Sequence, residues 1–404
     1  MADTDNYQAP ADLNRLRTLA LGIGGIALIA WAVGYFFSPE QALRSWLLGF
    51  IFWGGITIGS IGVLLLQYLT GGAWGLVIRR TLEAAARALP LVALMFLPIA
   101  IGVTQLYEWT HLPADDYTVI HRGWYMTPVA WILRSVIYFI LFGVMAYLLN
   151  KWSAQQDKTD NPKDAVKFSG YATAFSGPTM VIYALIVTFA VVDWVMTLDP
   201  HWFSTMFGFL FIAGWGLSCF CFSVVVLAYL SERAPMNRVL GKRHFHDLGK
   251  LMLALVMVWA YFNFSQFLII WSGNIPEETG YYITRMRGAW SWIGVALVLF
   301  HFAFPYLLLL KRDIKRKAKW LAMLGVFILI MRLVDMFYLI GPNPRIDTHG
   351  LGQGAFVISW MDFVAPIAIG GIWLWYFFGQ LMNRPLVPIM DPFLGDAIEH
   401  GKGH

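Results

Sequence analysis

What constrains this chain most is a succession of apolar runs, each roughly 20 to 30 residues long and without strict alternation. Crossing the hydrocarbon of a bilayer takes about 20 predominantly apolar residues. Water is absent there, so every backbone N–H and C=O must be paired internally, in a helix or a closed barrel. Without a period of two, these runs predict helices rather than strands. Charge agrees with this. Only 13% of the 404 residues are charged, against roughly a quarter in a soluble domain. That is too few to coat a water-facing surface alongside 19 Trp and 30 Phe. The fold class expected is an all-α polytopic membrane protein with about ten transmembrane helices.

The runs place helices near 16–37, 42–69, 76–105, 126–150, 169–198, 205–230, 246–272, 288–310, 319–340 and 355–383. The acidic start, Met1 to Asn6, is followed by a first run that ends in Phe36, Phe37 and Ser38 without a small-residue cleavage site. It therefore reads as a retained helix. Loop charge predicts orientation. About 21 Lys and Arg fall on the side of the even loops and the termini, among them the run Lys311 to Lys317. The other side carries Arg44, Arg122, Arg285, Arg287 and Arg345. Both termini are expected in the cytoplasm, with the chain multi-pass in a bacterial inner membrane. The net charge of +5 is explained by this asymmetry, and nucleic acid is not an expected partner.

The chain repeats itself. Val192-Asp193 followed by Pro200 matches Val334-Asp335 followed by Pro342, and Gly49-Phe50-Ile51-Phe52 matches Gly208-Phe209-Leu210-Phe211. Arg79-Arg80, Glu83 and Arg87 share their spacing with Lys242-Arg243, His246 and Lys250. Arg122-Gly123-Trp124 corresponds to Arg287-Gly288-Ala289-Trp290. Four matches in one order predict two four-helix bundles, helices 2–5 and 6–9. An even offset makes them parallel, related by an axis along the membrane normal. The expected organisation is 1–41 (tail and flanking helix 1), 42–200 and 201–342 (the bundles), and 343–404 (flanking helix 10 and tail).

Ionisable side chains in a bilayer cost roughly 2.5–3.5 kcal/mol each on insertion scales, so each needs a reason. Glu83, Arg87, His246, Asp247 and Lys250 form a layer near the cytoplasmic face. Asp193, Arg332 and Asp335 form another toward the outer face, with Arg134, His301 and Asp362 also inside helices. Glu83 and Arg87 stand at i,i+4 and Arg332 and Asp335 at i,i+3, so each pair shares a helix face. Asp193 has no cation within a turn of its own helix. Arg134 across the bundle, water, or a bound proton would have to satisfy it, which makes it the better proton carrier. Cys219 and Cys221 lie mid-helix with no further ligands and are expected to be inert. Axial haem ligation within the membrane is disfavoured, because only His301 lies deep in a helix. Thr70 to Gly75 predicts a tight turn between helices rather than a phosphate cradle.

Leu66 to Gly75 followed by Arg79-Arg80 and Glu83, and Asp193-Trp194 with Asp199 to Gly208, resemble the membrane subunits of bacterial alternative complex III. These belong to the wider NrfD/PsrC-like group of quinone-linked membrane proteins. The resemblance spans nearly the whole chain and is closest to the smaller, ActF-type subunit. It implies a role in a quinol:electron-acceptor oxidoreductase of respiratory or photosynthetic electron transfer. Menaquinol or another quinol would be oxidised near the outer face. Electrons would leave through partner subunits carrying iron–sulfur clusters and multihaem c-type cytochromes. In such complexes the quinol pocket is generally assigned to the larger, ActC-like homologue. A subunit of this type is implied to bind no cofactor or metal, to have no catalytic residue, to scaffold the complex within the lipid bilayer, and to contribute a proton path. That path would enter at Glu83, Arg87, His246, Asp247 and Lys250. It would leave through Asp193 and Asp335, with Arg134 and Arg332 as their cationic neighbours. Two alternatives stay open. The chain could bind quinol itself, at Asp193 and His201, or it could be a secondary transporter, although Pro178 and Pro305 interrupt helices without Gly-rich unwinding.

Overall fold

The computed structural model describes residues 7–346 and 354–403, so the acidic start of the chain lies outside the described residues. Among the described residues nine helices are long and apolar enough to cross a membrane, and a bent pair makes up to a tenth crossing. In chain order these are α1 (Asp12–Phe37), α2 (Pro39–Thr70), α3 (Ala73–Ala86 with Leu89–Ile101), α4 (Pro128–Lys158) and α5 (Pro162–Trp194). They continue with α6 (Phe207–Ser231), α7 (Lys242–Gly273), α8 (Gly288–Leu310), α9 (Ala318–Ile340) and α10 (Met361–Met382). The protein is an all-α, multi-pass membrane protein.

Local chemistry explains the boundaries. Thr127 and Asn161 accept hydrogen bonds from the amides of Ala130 and Lys163, and Pro128 and Pro162 fill the first helical position. There the missing N–H costs nothing. α2 stops at Gly71 and Gly72, whose φ of 66° and 99° suits glycine. The apolar run of 76–105 predicts one helix, but α3 bends by 42° between Ala86 and Leu89. Pro90 has no N–H for the carbonyl of Ala86, and its ring crowds that carbonyl. The opposite holds at Pro178, where α5 runs through without a break. Before Pro305, α8 takes a π-helical course over Leu297–Ala303, a form that often marks functional sites.

α2 and α6 are the most enclosed spans and lie against each other at the centre. Around α2, contacts run α2–α3, α3–α4, α4–α5 and α5–α2. Around α6 they run α6–α7, α7–α8, α8–α9 and α9–α6. α6 also touches α5, and α2 touches α9. α1 packs on α10 and both pack on α2. The α1–α10 crossing depends on glycine, since a Cβ on Gly371 would sit 2.5 Å from the Cα of Gly24. Ile26, Ile29, Val129, Ile140 and Val181 are exposed along the outside, as a lipid-facing belt requires. The amide of Leu386 donates to the carbonyl of Tyr7 at 2.8 Å, which places the N-terminal segment and the C-terminal tail together at one end.

Candidate functional site: buried charge at the two ends of the helices

At the end where the tails meet, the first turns of α3 carry Arg79, Arg80 and Glu83, each at most 2% exposed. Arg80 donates to Glu83 at 2.6 Å, to Ser153 at 2.9 Å and to both oxygens of Asp157 at 2.5 and 2.6 Å. Ser153 donates to the other Glu83 oxygen at 2.5 Å, and Arg384 from the tail approaches Glu83 at 3.4 Å. Two guanidiniums thus face two carboxylates, so the network is closed in charge. Arg79 pairs with Asp391 of the tail at 2.7 Å and lies over the ring of Tyr68.

Arg87 departs from the expected i,i+4 pairing with Glu83. The bend that follows Ala86 carries it away, and its Nη2 donates instead to the Gln380 carbonyl at 2.6 Å. Asp247 sits on the rim of α7, 3.2 Å from Lys250 and 2.8 Å from His400. Lys250 is half exposed, so this pair belongs to the aqueous margin rather than the hydrocarbon. His246 is half-buried beside them, and its Nδ1 has no hydrogen-bond partner. A cleft of about 600 Å³ brings the margin together, with Asp247 and His400 on one wall and Arg79, Asp391 and the Gly71–Trp74 turn on the other.

At the opposite end Asp193 is fully buried. Of the partners left open by the sequence, Arg134 is the one it finds, through bidentate contacts of 2.8 and 2.9 Å. The Tyr138 hydroxyl donates to it at 2.7 Å. Arg134 also donates to the Tyr125 carbonyl at 2.7 Å and stacks 3.6 Å from that ring. In the second group of helices Arg332 pairs with Asp335 on the shared face of α9, and Trp259 donates to Asp335 at 3.1 Å. His301, sealed in the π segment, lies 4.0 Å from the Trp259 ring with neither nitrogen hydrogen-bonded. Gly214 makes room for this arrangement, because a Cβ there would come within 2.1 Å of Arg332. Asp362 is satisfied by Gln41, Ser45 and the Ser359 amide.

His201 stands apart from Asp193. It is half exposed in the loop after α5, with Nε2 3.1 Å from Asp116. The hydrogen bond from His201 holds the Asp116 carboxyl below its ordinary range. Glu108 is shifted upward, first by burial and then by the neighbouring Asp199 charge, and burial raises Asp199 as well. Asp193 and His201 therefore turn to different partners. Cys219 and Cys221 are free and buried, with Cys219 3.2 Å from the Ser60 hydroxyl. Among the described residues no group of three or more His, Cys, Asp or Glu could hold a metal ion.

The sequence pointed to Glu83, Asp193, Arg332 and Asp335 because charge within an apolar run stands out. Arg79 and Arg80 stood out only as a spaced basic pair, and Asp157, Arg384, Asp391 and His400 did not stand out at all, because they lie at a helix end or in the tail, where charge is ordinary. No protein-family model matches the chain, and no curated protein is recognisably similar to it.

Proposed function

We propose that this chain is a membrane subunit of a quinol:cytochrome c, or related electron-carrier, oxidoreductase of the alternative complex III type. In this reading it scaffolds partners that carry c-type haem and iron–sulfur clusters in a bacterial inner membrane, with both termini cytoplasmic. The first group of helices, α2–α5, carries protons toward the outer face. One observation supports this most. The same four helices hold a closed network around Glu83 at one end and a sealed Asp193 at the other, and proton carriage needs titratable groups at both. Between them, ten residues before Asp193 and so about 15 Å along α5, the Tyr183 hydroxyl donates to the Ile58 carbonyl at 3.1 Å. The cleft at Asp391 would admit water to the Glu83 end. A proton arriving at Asp193 would be accepted by the carboxylate as Arg134 and Tyr138 loosen, and released as they close again.

The experiment is to tag the chain, extract it in mild detergent, and record the haem spectrum and subunit masses of what co-purifies. Reducible c-type haem together with an iron–sulfur subunit and a second ten-helix chain is the expected result. A colourless, solitary protein would overturn the assignment and bring transport forward. For the proton path, Asp193→Asn is expected to lower proton release per electron in reconstituted vesicles. Unchanged release would make the carboxylate structural.

A further inference from the structure

We propose that the groove beside the α3 bend is a binding site for the phosphodiester headgroup of an anionic phospholipid, with one acyl chain lying along α4. The groove, of about 470 Å³, runs between the α3 bend and α4. Its lining contributes four cations, Arg87, Lys151, Lys158 and Arg384, and no carboxylate. The carboxylates nearest in the chain are engaged elsewhere. Asp157 is held by Arg80, and Glu83 by Arg80 and Ser153 with Arg384 at the longer 3.4 Å. Among the described residues Arg87, Lys151 and Lys158 have no ion pair, and the Nε of Arg87 is buried without a hydrogen-bond partner. Uncompensated cations beside a low-dielectric wall repel one another, and a bound anion relieves that repulsion.

The groove is polarised along its length. Gly143, Tyr147, Lys151, Ala154 and Lys158 recur at three- and four-residue steps, so they line one face of α4. From Gly143 to Lys158 is about 22 Å of helix, apolar at the Gly143 end and cationic at the Lys158 end. Tyr147 is largely exposed between them, with the Lys151 ammonium 5.9 Å from its ring. An aromatic ring at the height of the headgroups, basic side chains above and apolar surface below match a phospholipid's own order of chemistry. A Cβ on Gly143 would touch only Leu89, at 3.9 Å, so that end is open to a chain of methylenes.

The test places the full chain, with any partners it retains, in phosphatidylcholine nanodiscs doped with phosphatidylglycerol, and counts retained lipid by native mass spectrometry. Wild type is expected to keep phosphatidylglycerol over phosphatidylcholine. Lys151→Gln with Lys158→Gln, neither of which has an ion pair to lose, should weaken that preference about 30-fold, at roughly fivefold per lysine. Gly143→Leu, which alters no charge, should reduce retention by filling the acyl end. Equal retention of the two lipids by wild type, or a preference that survives both variants, would overturn the proposal. Displacement of the lipid by inorganic phosphate alone would also overturn it, in favour of a soluble-anion site.

Discussion

Two buried carboxylate–guanidinium pairs of similar chemistry should respond very differently to the same substitution. Asp335→Asn leaves Arg332 charged, 1% exposed, with its Nε unpartnered and Gly214 pressed against its guanidinium. Removing one partner of such a pair costs about 3–5 kcal/mol, and Arg332 sits at the upper end because, among the described residues, Asp335 is its one hydrogen-bond acceptor. Asp193→Asn leaves Arg134 with the Tyr125 carbonyl at 2.7 Å, the Tyr125 ring at 3.6 Å and a side chain 16% exposed. A cation–π contact contributes roughly 0.5–2 kcal/mol, so the cost there should fall to about 2–3 kcal/mol. The difference, about 2–3 kcal/mol, is roughly a thirty- to 150-fold difference in unfolding equilibrium constant. Unfolding in mixed micelles, followed by Trp fluorescence, measures both. The neutral pair Arg332→Gln with Asp335→Asn should recover at least half of the loss, since it removes the stranded charge. Equal destabilisation by the two single substitutions, or no recovery in the double variant, would refute the view that stranded charge sets the cost.

Two further outcomes follow from the packing and from the loops at the Asp193 end. Gly214→Ala puts a methyl within 2.1 Å of Arg332 and should cost about 1–3 kcal/mol through overpacking. Combining it with Arg332→Ala should cost less than the sum of the two singles in the same unfolding assay. Glu108 has a carboxyl raised above its ordinary value by burial and by Asp199. It is protonated in both states at low pH; as pH rises past the ordinary carboxyl value the unfolded chain ionises first, and the stability lost is complete once pH passes the raised folded value. Wild type should therefore lose stability relative to Glu108→Gln as pH rises from about 4 into the neutral range, and melting curves at both ends of that range should diverge in this order.

The amino-acid sequence by itself determined that this is a helical membrane protein and where nearly every span lies. Spanning length, apolar composition and the absence of period-two alternation are properties of the chain alone, and lipid leaves the backbone no alternative. Pairing within one helix was equally legible at Arg332 and Asp335, three residues apart on unbroken α9. It failed at Glu83 and Arg87, where Pro90 bends α3 and redirects the second cation to Gln380. Only the tertiary structure decided that Asp193 takes Arg134 from α4, that Arg384 and Asp391 come back from the tail to Glu83 and Arg79, and that His201 turns to Asp116 instead of Asp193. These partners lie tens to hundreds of positions apart. A charge in an apolar helix requires a partner but does not say which, and that choice falls to the faces that the packed helices turn toward one another.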